Sequence, residues 1–305
     1  MPNSLLTTPV DQLREQAKRL EAALSVGLAA PTVKAVHGLR SSTRRVEAQI
    51  ALLAMVKDLP SYKSKARKVQ RRLQKLRRIA GKVRDCDVQQ KLLKDRNHSM
   101  TTAAEAPAGL KTVQELLRER LARIRQRREA NLVAVVDHLL PRLTRDTEDL
   151  LASLKSAEDH KVSVSTLLAA VERQMERTLR SRERGEEHLH DLRKAAKRAR
   201  YQCEAMPGPE AAAMAKRLEQ LQDAGGKWHD LLDLTTLCHR ELGAEHPFSR
   251  VLEHLRDERL DAYLADLEDY RSRHSHRGVA GAKRKPPQRA LPASEEKSRA
   301  ARTVR

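Results

Sequence analysis

Aromatic residues are scarce in this chain. They make up 2% of its 305 residues, with one Trp, one Phe and four Tyr. Proteins that recognise single-stranded nucleic acids commonly stack the bases on aromatic side chains, which contributes about 1 to 3 kcal/mol per base. The chain offers very little surface of this kind. Its composition therefore disfavours recognition of bases and favours a partner that presents charge alone.

Cysteines and long apolar runs are also scarce. The three cysteines, Cys86, Cys203 and Cys238, are far apart, and neither a Cys-x-x-Cys pair nor a histidine pair with zinc-binding spacing is present. Residues 1–10 lack the basic and then apolar pattern of a secretory leader, and no run of 18 apolar residues occurs. We therefore expect a cytoplasmic protein with reduced thiols and without a membrane span.

Positive charge, in contrast, is abundant. The chain has 61 Lys and Arg residues against 41 Asp and Glu residues, a net charge of +20. Such a field attracts nucleic acid, polyphosphate or an anionic membrane surface. Residues 275–305 have few large apolar side chains and no periodicity, which predicts a disordered basic tail. From residue 271 onward 11 basic and 2 acidic residues leave a charge of +9, so the folded part keeps about +11.

Helical periodicity runs through the rest of the chain, and the alternation typical of strands is missing, so the fold class is all-α. Proline and glycine residues, Pro60, Gly81 and Pro141 among them, stand between the periodic segments and predict their ends. The pattern predicts eleven helices, at about 10–26, 32–58, 61–79, 83–96, 109–139, 143–159, 164–182, 185–206, 209–224, 228–242 and 247–272.

Two motifs occur twice. Residues 36–40 (VHGLR) match residues 189–193 (LHDLR) at an offset of 153, and residues 81–85 (GKVRD) match residues 226–230 (GKWHD) at an offset of 145. This self-similarity predicts an internal duplication, with one repeat at about 5–160 and a second at about 161–272. We expect two related four-helix bundles with a pseudo-twofold axis between them. A groove between the bundles would be lined twice by the same residue types.

A basic stripe follows the first motif in each half. His37, Arg40 and Arg44 lie within about 60° on one helix face, and the same spacing recurs in the second half from His190 to Arg200. Apolar residues occupy the opposite faces, so the stripes should not be buried. A stripe of this kind is often a solvated face of an amphipathic helix. Its recurrence, and the lack of acidic residues at i+4 that would reduce repulsion, favour an anionic ligand.

The densest field of cations lies between residues 61 and 84. This segment contains eleven Lys and Arg residues and no acidic residue before Asp85. The corresponding segment of the second half, residues 211–223, has only Lys216 and Arg217 as cations. We therefore expect the two halves to differ as binding surfaces, with the first half contributing more.

Catalytic constellations are not evident. His37 or His190 could act as a general base, but no nucleophile, carboxylate pair or metal-binding set stands at a suitable spacing. His188 and His190 would point about 200° apart on a helix, which disfavours a shared metal. Asp85 and Asp230 follow glycines and are interpreted as N-terminal caps of the next helix. The sequence therefore predicts a binding protein without catalytic residues, metal or cofactor.

These motifs resemble the CHAD family, the conserved-histidine α-helical domain. Its H-x-[LM]-R-x3-[RK]-R pattern is matched from His37 to Arg45 and again from His190 to Arg198, and both G-x-x-[RH]-D elements are present. The resemblance covers about residues 5–272. Two features depart from the pattern: the segment 211–223 is poor in cations, and Glu47 stands where the second half has Arg200.

The resemblance implies two four-helix bundles beside a basic central groove that binds inorganic polyphosphate, and association with polyphosphate granules. Many family members carry a preceding triphosphate-tunnel barrel with an ExExK signature, which is absent here, so a stand-alone binding module is expected. The alternatives are a protein that binds the backbone of RNA or DNA through residues 61–84 and the tail, and a phosphohydrolase. The residues predicted to bind polyphosphate are His37, Arg40, Arg44, Arg45, Arg67, Arg71, Lys75, Arg78, Lys82, Arg84, His190, Arg193, Lys194, Lys197, Arg198 and Arg200.

Overall fold

Eight α-helices form nearly all of the structure, a computed structural model that describes residues 5–101, 108–180 and 185–280, with side chains in 5–95, 113–180 and 185–273. The predicted all-α class is confirmed. The helices are α1 (Pro9–Ala29), α2 (Val33–Leu53), α3 (Lys63–Thr101), α4 (Ala108–Ser153), α5 (Val164–Leu179), α6 (Glu186–Glu204), α7 (Pro209–Leu242) and α8 (Pro247–Ala280). A short 3-10 helix (Lys155–Ala157) follows α4.

Three predicted helix ends are wrong. Gly81 lies inside α3, Pro141 inside α4, and the pair Gly225 and Gly226 inside α7, so eight described helices replace the eleven predicted. A glycine inside a helix costs only about 1 kcal/mol relative to alanine, and a proline about 3 kcal/mol. Burial of the apolar side chains on both sides of each residue offsets these costs, as Leu139 and Leu143 do around the proline of α4.

Three hydrophobic clusters hold the helices together. The first is formed by α1 to α4, and the second by α5 to α8 with Leu52 of α2. The third joins the later part of α3 and the first part of α4 to α7 and α8, around Phe248 and Leu252. Each half therefore has its own core of four helices, and the third cluster ties the halves together.

The halves also meet through α2 and α6, through α3 and α7, and through a small antiparallel sheet. Strand β1 (Leu6–Thr7) precedes α1, and β2 (Val162–Ser163) precedes α5. In the sheet Leu6 pairs with Ser163 and Thr7 with Val162. The first segments of the two halves thus lie side by side in opposite directions. That the halves are duplicates related by a pseudo-twofold axis stays a prediction, as do the repeat boundaries near residue 160.

Helix α8 continues to Ala280 and so includes the first residues of the predicted tail. The remaining residues of the predicted tail, 281–305, lie outside the described residues. None of the helices in the described part of the chain is both long and apolar enough to cross a membrane.

Candidate functional site

The basic stripes of α2 and α6 face each other across the contact between the two halves. Helix α2 starts after Pro31, where the side chain of Thr32 accepts a hydrogen bond from the backbone N–H of Ala35 at 3.2 Å. Val36 and Leu39 of α2 are then fully buried in the first core, as Leu192 of α6 is in the second. Because each apolar face points into its own core, both basic faces point into the space between the halves.

That space is a cavity of about 680 Å³, which we call the central groove. Helices α2, α3, α6 and α7 line it, and nine cationic side chains face four aspartates and three histidines. The cationic residues are Arg40, Arg44, Arg77, Arg78, Arg84, Arg193, Lys194, Lys197 and Lys227, the acidic residues are Asp85, Asp223, Asp230 and Asp233, and the histidines are His37, His190 and His229. Its excess of positive charge makes the groove a candidate site for a polyanion.

The cations of the stripes are more enclosed than the sequence predicts. Burial, followed by the charge of Arg44, lowers the pKa of Arg40 to about 10. Burial together with the charges of Arg44 and Arg193 lowers the pKa of Lys197 from 10.5 to about 7. These groups are half-buried rather than fully solvated, because α2 packs against α6 and removes part of their water. A bound anion would reduce the repulsion among these half-buried cations and favour their charged forms.

Two aspartates of the groove have a role different from the one predicted from the sequence. Asp85 and Asp230 lie in the interiors of α3 and α7, so the prediction that they cap helix N-termini is wrong. Burial raises the pKa of both carboxyl groups, while Arg40 near Asp85 and Arg193 near Asp230 oppose that rise. Burial and the other two carboxylates also raise the pKa of Asp233, to about 6. These carboxylates offset part of the positive charge of the groove.

Three histidine rings add neutral hydrogen-bonding groups. Burial lowers the pKa of His37 and His190, with smaller contributions from neighbouring cations. Burial and the charge of Arg193 lower the pKa of His229 to about 4. The ring of His229 meets that of His190 edge to face, with centroids 4.7 Å apart. Sequence reasoning missed His229, although its alignment with Arg84 in the repeated G-x-x-[RH]-D element could have indicated it.

Gly81 has a spatial reason to be glycine. A Cβ atom built at this position would lie 2.5 Å from Nη1 of Arg40. Any side chain there would displace the guanidinium group, so the absence of a side chain on α3 lets Arg40 of α2 reach the groove. Gly226, at the corresponding position of α7, faces open space, with no atom within 4 Å of a built Cβ.

Two predicted residues lie behind the groove in an ion-paired cluster. Arg45 and Arg200 both contact Glu204, at 2.5 and 2.9 Å, and Arg200 also contacts Glu219 at 2.8 Å. Their guanidinium carbons lie 4.5 and 5.0 Å from the ring centroid of Tyr201. The acidic partner that Arg45 lacks at i+4 in α2 therefore comes from α6. The expected lack of acidic residues at i+4 is wrong for the second stripe, because Glu204 stands four residues after Arg200 and pairs with it. Similarly, Glu47 of α2 pairs with Arg77 of α3.

The remaining predicted residues divide among the groove and neighbouring surfaces. Arg67, Arg71 and Arg198 line a second cavity of about 790 Å³, which we call the outer cavity. Lys75, again with Arg71, lines a third cavity of about 260 Å³ between α3 and α4, the seam cavity. Lys82 is exposed, and its backbone carbonyl accepts a hydrogen bond from Arg128 at 2.7 Å. The structure thus brings nine of the sixteen predicted residues together in the central groove: His37, Arg40, Arg44, Arg78, Arg84, His190, Arg193, Lys194 and Lys197.

Among the described side chains, no three His, Cys, Asp or Glu residues are grouped closely enough to hold a metal ion. The three cysteines are buried as free thiols. The groups that the groove offers to a ligand are therefore guanidinium, ammonium, imidazole and carboxylate groups.

Comparisons with solved structures identify similar folds. PptA from Streptomyces chartreusis superposes with a TM-score of 0.62 at 17% sequence identity, over 86% of this chain and 97% of that chain. The CHAD domain from the plant Ricinus communis superposes with a TM-score of 0.56 at 21% identity, over 86% of this chain and 90% of that chain. A search of curated proteins finds no match. The family model described as CHAD domain matches residues 11–239, three quarters of the sequence, and the chain belongs to the CHAD domain family.

Proposed function

We propose that the central groove binds inorganic polyphosphate. The observation that carries the proposal is the convergence of nine Lys and Arg side chains from four helices on one cavity, against four aspartates. Arginine forks form paired, charge-assisted hydrogen bonds with phosphate oxygens. Membership of the CHAD domain family, which is linked to polyphosphate binding in general, supports the same ligand.

The groove favours a phosphate chain without bases. Tyr201 contributes the only phenol or indole ring among the described residues that line it. That ring is 4% exposed, and the guanidinium carbons of Arg45 and Arg200 lie 4.5 and 5.0 Å from its centroid, so it offers little open face to a base. Base recognition by stacking needs such a face. A ligand made only of phosphates uses the cations of the groove and needs no aromatic platform.

The chemistry of binding follows from the enclosed cations. A phosphate near Lys197 favours the charged ammonium form, so binding raises the pKa of this group above its value of about 7 in the empty groove. The same anion favours protonation of His37 and His190, whose pKa values burial has lowered. Bound polyphosphate thus neutralises the positive charge that the aspartates offset only in part. Its affinity should fall with salt because bound counterions are released.

A nucleic-acid backbone is the second candidate ligand. Exposed cations of α3, such as Arg67 and Lys68, favour it because they lie outside the groove on a surface open to larger partners. A cavity of about 680 Å³ is the size of a small-ligand site and is too small to enclose a duplex. Nucleic acid would therefore bind along the surface of α3, independently of Arg40 and Arg193.

We propose that the chain is a binding module and not a phosphohydrolase. The support for this proposal is that most of the polar side chains lining the groove are charged groups suited to holding phosphates. We place the protein in the cytoplasm, in association with polyphosphate granules, where a long polyphosphate chain would itself be the site of attachment.

The test is binding of long inorganic polyphosphate to the full chain at about 150 mM salt, where long-range contacts between exposed charges are largely screened. Double-stranded DNA and RNA serve as competitors. We expect tight binding of polyphosphate and little displacement by either nucleic acid. Displacement of polyphosphate by nucleic acid would favour the second candidate.

The matched variant is Arg40→Gln with Arg193→Gln, which removes one enclosed charge from each stripe. Glutamine keeps helix propensity and avoids placing a new carboxylate near Asp85 or Asp230. Each lost charge-assisted contact should cost about 1.5 to 3 kcal/mol, so affinity should fall about a hundredfold or more. The control is Lys91→Gln with Lys94→Gln, two exposed α3 residues outside the three cavities. Equal affinity of the two variants would contradict the site.

A further inference from the structure

Three basic cavities follow one another along α3. The central groove and the outer cavity share Gln74 and Arg77 in their linings. The outer cavity and the seam cavity share Lys68 and Arg71. An uninterrupted path therefore leads from the central groove, over the outer face of α3, to the seam between α3 and α4.

The acidic residues on this path are already paired. Glu47 in the outer cavity contacts Arg77, and Asp146 in the seam cavity contacts Arg72. The other cations that line the two cavities form no ion pair with a described residue; they are Arg67, Lys68, Arg71, Lys75, Arg142 and Arg198. Six positive charges thus have no ion-pair partner in the part of the chain whose side chains the structure describes.

Helix geometry places three of these charges in one row. Lys68, Arg71 and Lys75 stand at i, i+3 and i+7 on α3, so they share a face, and Arg142 of α4 completes the wall of the seam cavity. Like charges at such spacings destabilise a helix, by amounts similar to those by which opposite charges stabilise it. A row of this kind follows the direction in which an extended anion would lie along the helix.

The second half offers no equivalent row. At the motif offset of 145, only one of the three cations of the row has a cationic counterpart: Ala213 corresponds to Lys68, Lys216 to Arg71 and Gln220 to Lys75. The neighbouring Glu219 forms an ion pair with Arg200 across α6 and α7. A polyanion that leaves the groove over α7 therefore meets only Lys216 and Arg217 among neutral and acidic side chains, whereas one that leaves over α3 meets a row of cations.

We infer that a polyphosphate chain held in the central groove leaves it on one side only, over α3, and continues to the seam cavity. This inference rests on the proposed function and adds a direction and a length requirement to it. From Arg77 at the edge of the groove to Lys68 the path along α3 is about 14 Å, at 1.5 Å per residue. Short oligophosphates fit within the groove, and only longer chains reach the row of cations.

The test compares inorganic triphosphate with long-chain polyphosphate as ligands of the full chain. The variant is Lys68→Gln, Arg71→Gln and Lys75→Gln together, on exposed positions of α3. The control is Lys91→Gln, Lys94→Gln and Arg127→Gln, which removes the same charge from exposed residues that line none of the three cavities. The full chain is used throughout, so residues 281–305 contribute equally to every protein.

We expect the path variant to bind triphosphate as the wild type does and to bind long chains about tenfold more weakly, while the control binds both as the wild type does. The dependence of log affinity on log salt for long chains should become shallower by about 2, at about 0.7 for each lost phosphate contact, as in single-stranded nucleic acid. The dependence measured with triphosphate should not change.

Other results would overturn the inference in distinguishable ways. If the wild type binds triphosphate and long chains but the path variant matches the control, the groove binds polyphosphate and the path over α3 is wrong. If the path variant loses both ligands equally, the three residues act on the groove itself and the one-sided exit is wrong. If the wild type binds neither ligand, the proposed function fails and the inference fails with it.

Discussion

Helices α2 and α6 contribute nearly the same charges to the central groove, whereas α3 and α7 differ. His37 and Arg40 of α2 have counterparts of the same type in His190 and Arg193 of α6. On α3, however, Arg78 corresponds to Asp223 of α7 at the motif offset. The centre of the site is therefore alike on both sides and its flanks are not. A polyanion can therefore contact cations of both halves at the centre and still extend along α3 rather than α7.

Each half also has an ion pair between its two groove-lining helices, but the acidic and basic residues lie on opposite helices in the two halves. In the first half Glu47 of α2 pairs with Arg77 of α3, and in the second half Arg200 of α6 pairs with Glu219 of α7. The helix pairs are held together similarly, but the arginine lies on α3 in one case and on α6 in the other. This exchange explains why Glu47 departs from the residue type found at the corresponding position of the second half.

The strongest way to break the difference between α3 and α7 is to exchange the charges of Arg78 and Asp223. Arg78→Asp should weaken polyphosphate binding about tenfold, because it replaces an attraction at the groove by a repulsion. Asp223→Arg should strengthen binding by a similar factor, so the two variants should differ about a hundredfold. Titration with polyphosphate at fixed salt measures both.

The variant that carries both exchanges is the control, because it keeps the net charge of the groove. It should bind with nearly the wild-type affinity. If Asp223→Arg leaves the affinity unchanged, the flank of α7 does not contact the ligand. The two flanks would then differ in whether they contact polyphosphate, and not only in the sign of their charge.

Alanine in place of Gly81 sharpens the comparison by a smaller effect. A Cβ at this position displaces the guanidinium group of Arg40, so Gly81→Ala should lower the polyphosphate affinity about tenfold through one weakened charge-assisted contact. Gly226→Ala, the counterpart on α7, meets open space and should leave the affinity nearly unchanged. Isothermal titration of both variants measures the contrast.

Both alanine variants should raise the free energy of unfolding by about 0.5 to 1 kcal/mol, because alanine has the higher helix propensity. Thermal unfolding followed by circular dichroism provides this control. A loss of affinity accompanied by a loss of stability in Gly81→Ala would indicate damage to the fold and contradict the specific role assigned to the glycine.

The smallest expected effect concerns Lys197, which stands where the first half has Arg44. Its pKa of about 7 in the empty groove means that half of the groups are neutral at that pH. Because polyphosphate binds the charged form, binding takes up a proton above pH 7, and affinity falls as the pH rises. With the pKa raised well above 8 in the complex, the loss between pH 7 and pH 8 should be about fivefold.

Lys197→Arg makes the second half like the first. Arginine stays charged throughout this range, so the fall in affinity between pH 7 and pH 8 should largely disappear. Affinities measured at both pH values for the wild type and the variant decide the point, and titration of terminal phosphates affects both proteins equally. An unchanged pH dependence in the variant would show that another group takes up the proton.

The sequence predicted those parts of the groove that follow from helical periodicity. The spacing of His37, Arg40 and Arg44 is fixed within one helix, and the apolar residues opposite them determine which face turns to the core. The encounter of the two stripes then required only that their helices pack against each other. The duplication motifs identified both members of the pair, and the structure places them across one cavity.

Tertiary contacts account for what the sequence could not show. Gly81 reads locally as a helix end, but its small size serves Arg40, which is distant in sequence. Asp85 was therefore misread as a cap, although α3 continues through it. Arg45 has the same pattern of neighbours as the groove residues, and only the packing of α2 on α6 brings Glu204 to it. Such partners depend on which helices meet.

The single tryptophan lies close enough to the groove for its intrinsic fluorescence to report on ligand binding. Trp228 is 2% exposed, stacks on Tyr263 with ring centroids 5.9 Å apart, and lies 6.2 Å from the ring of His229 in the groove. An anion bound beside His229 changes the electric field at the only indole in the chain. Occupancy of the groove should then alter the intensity of tryptophan emission, so that ligands can be titrated in solution without any attached label.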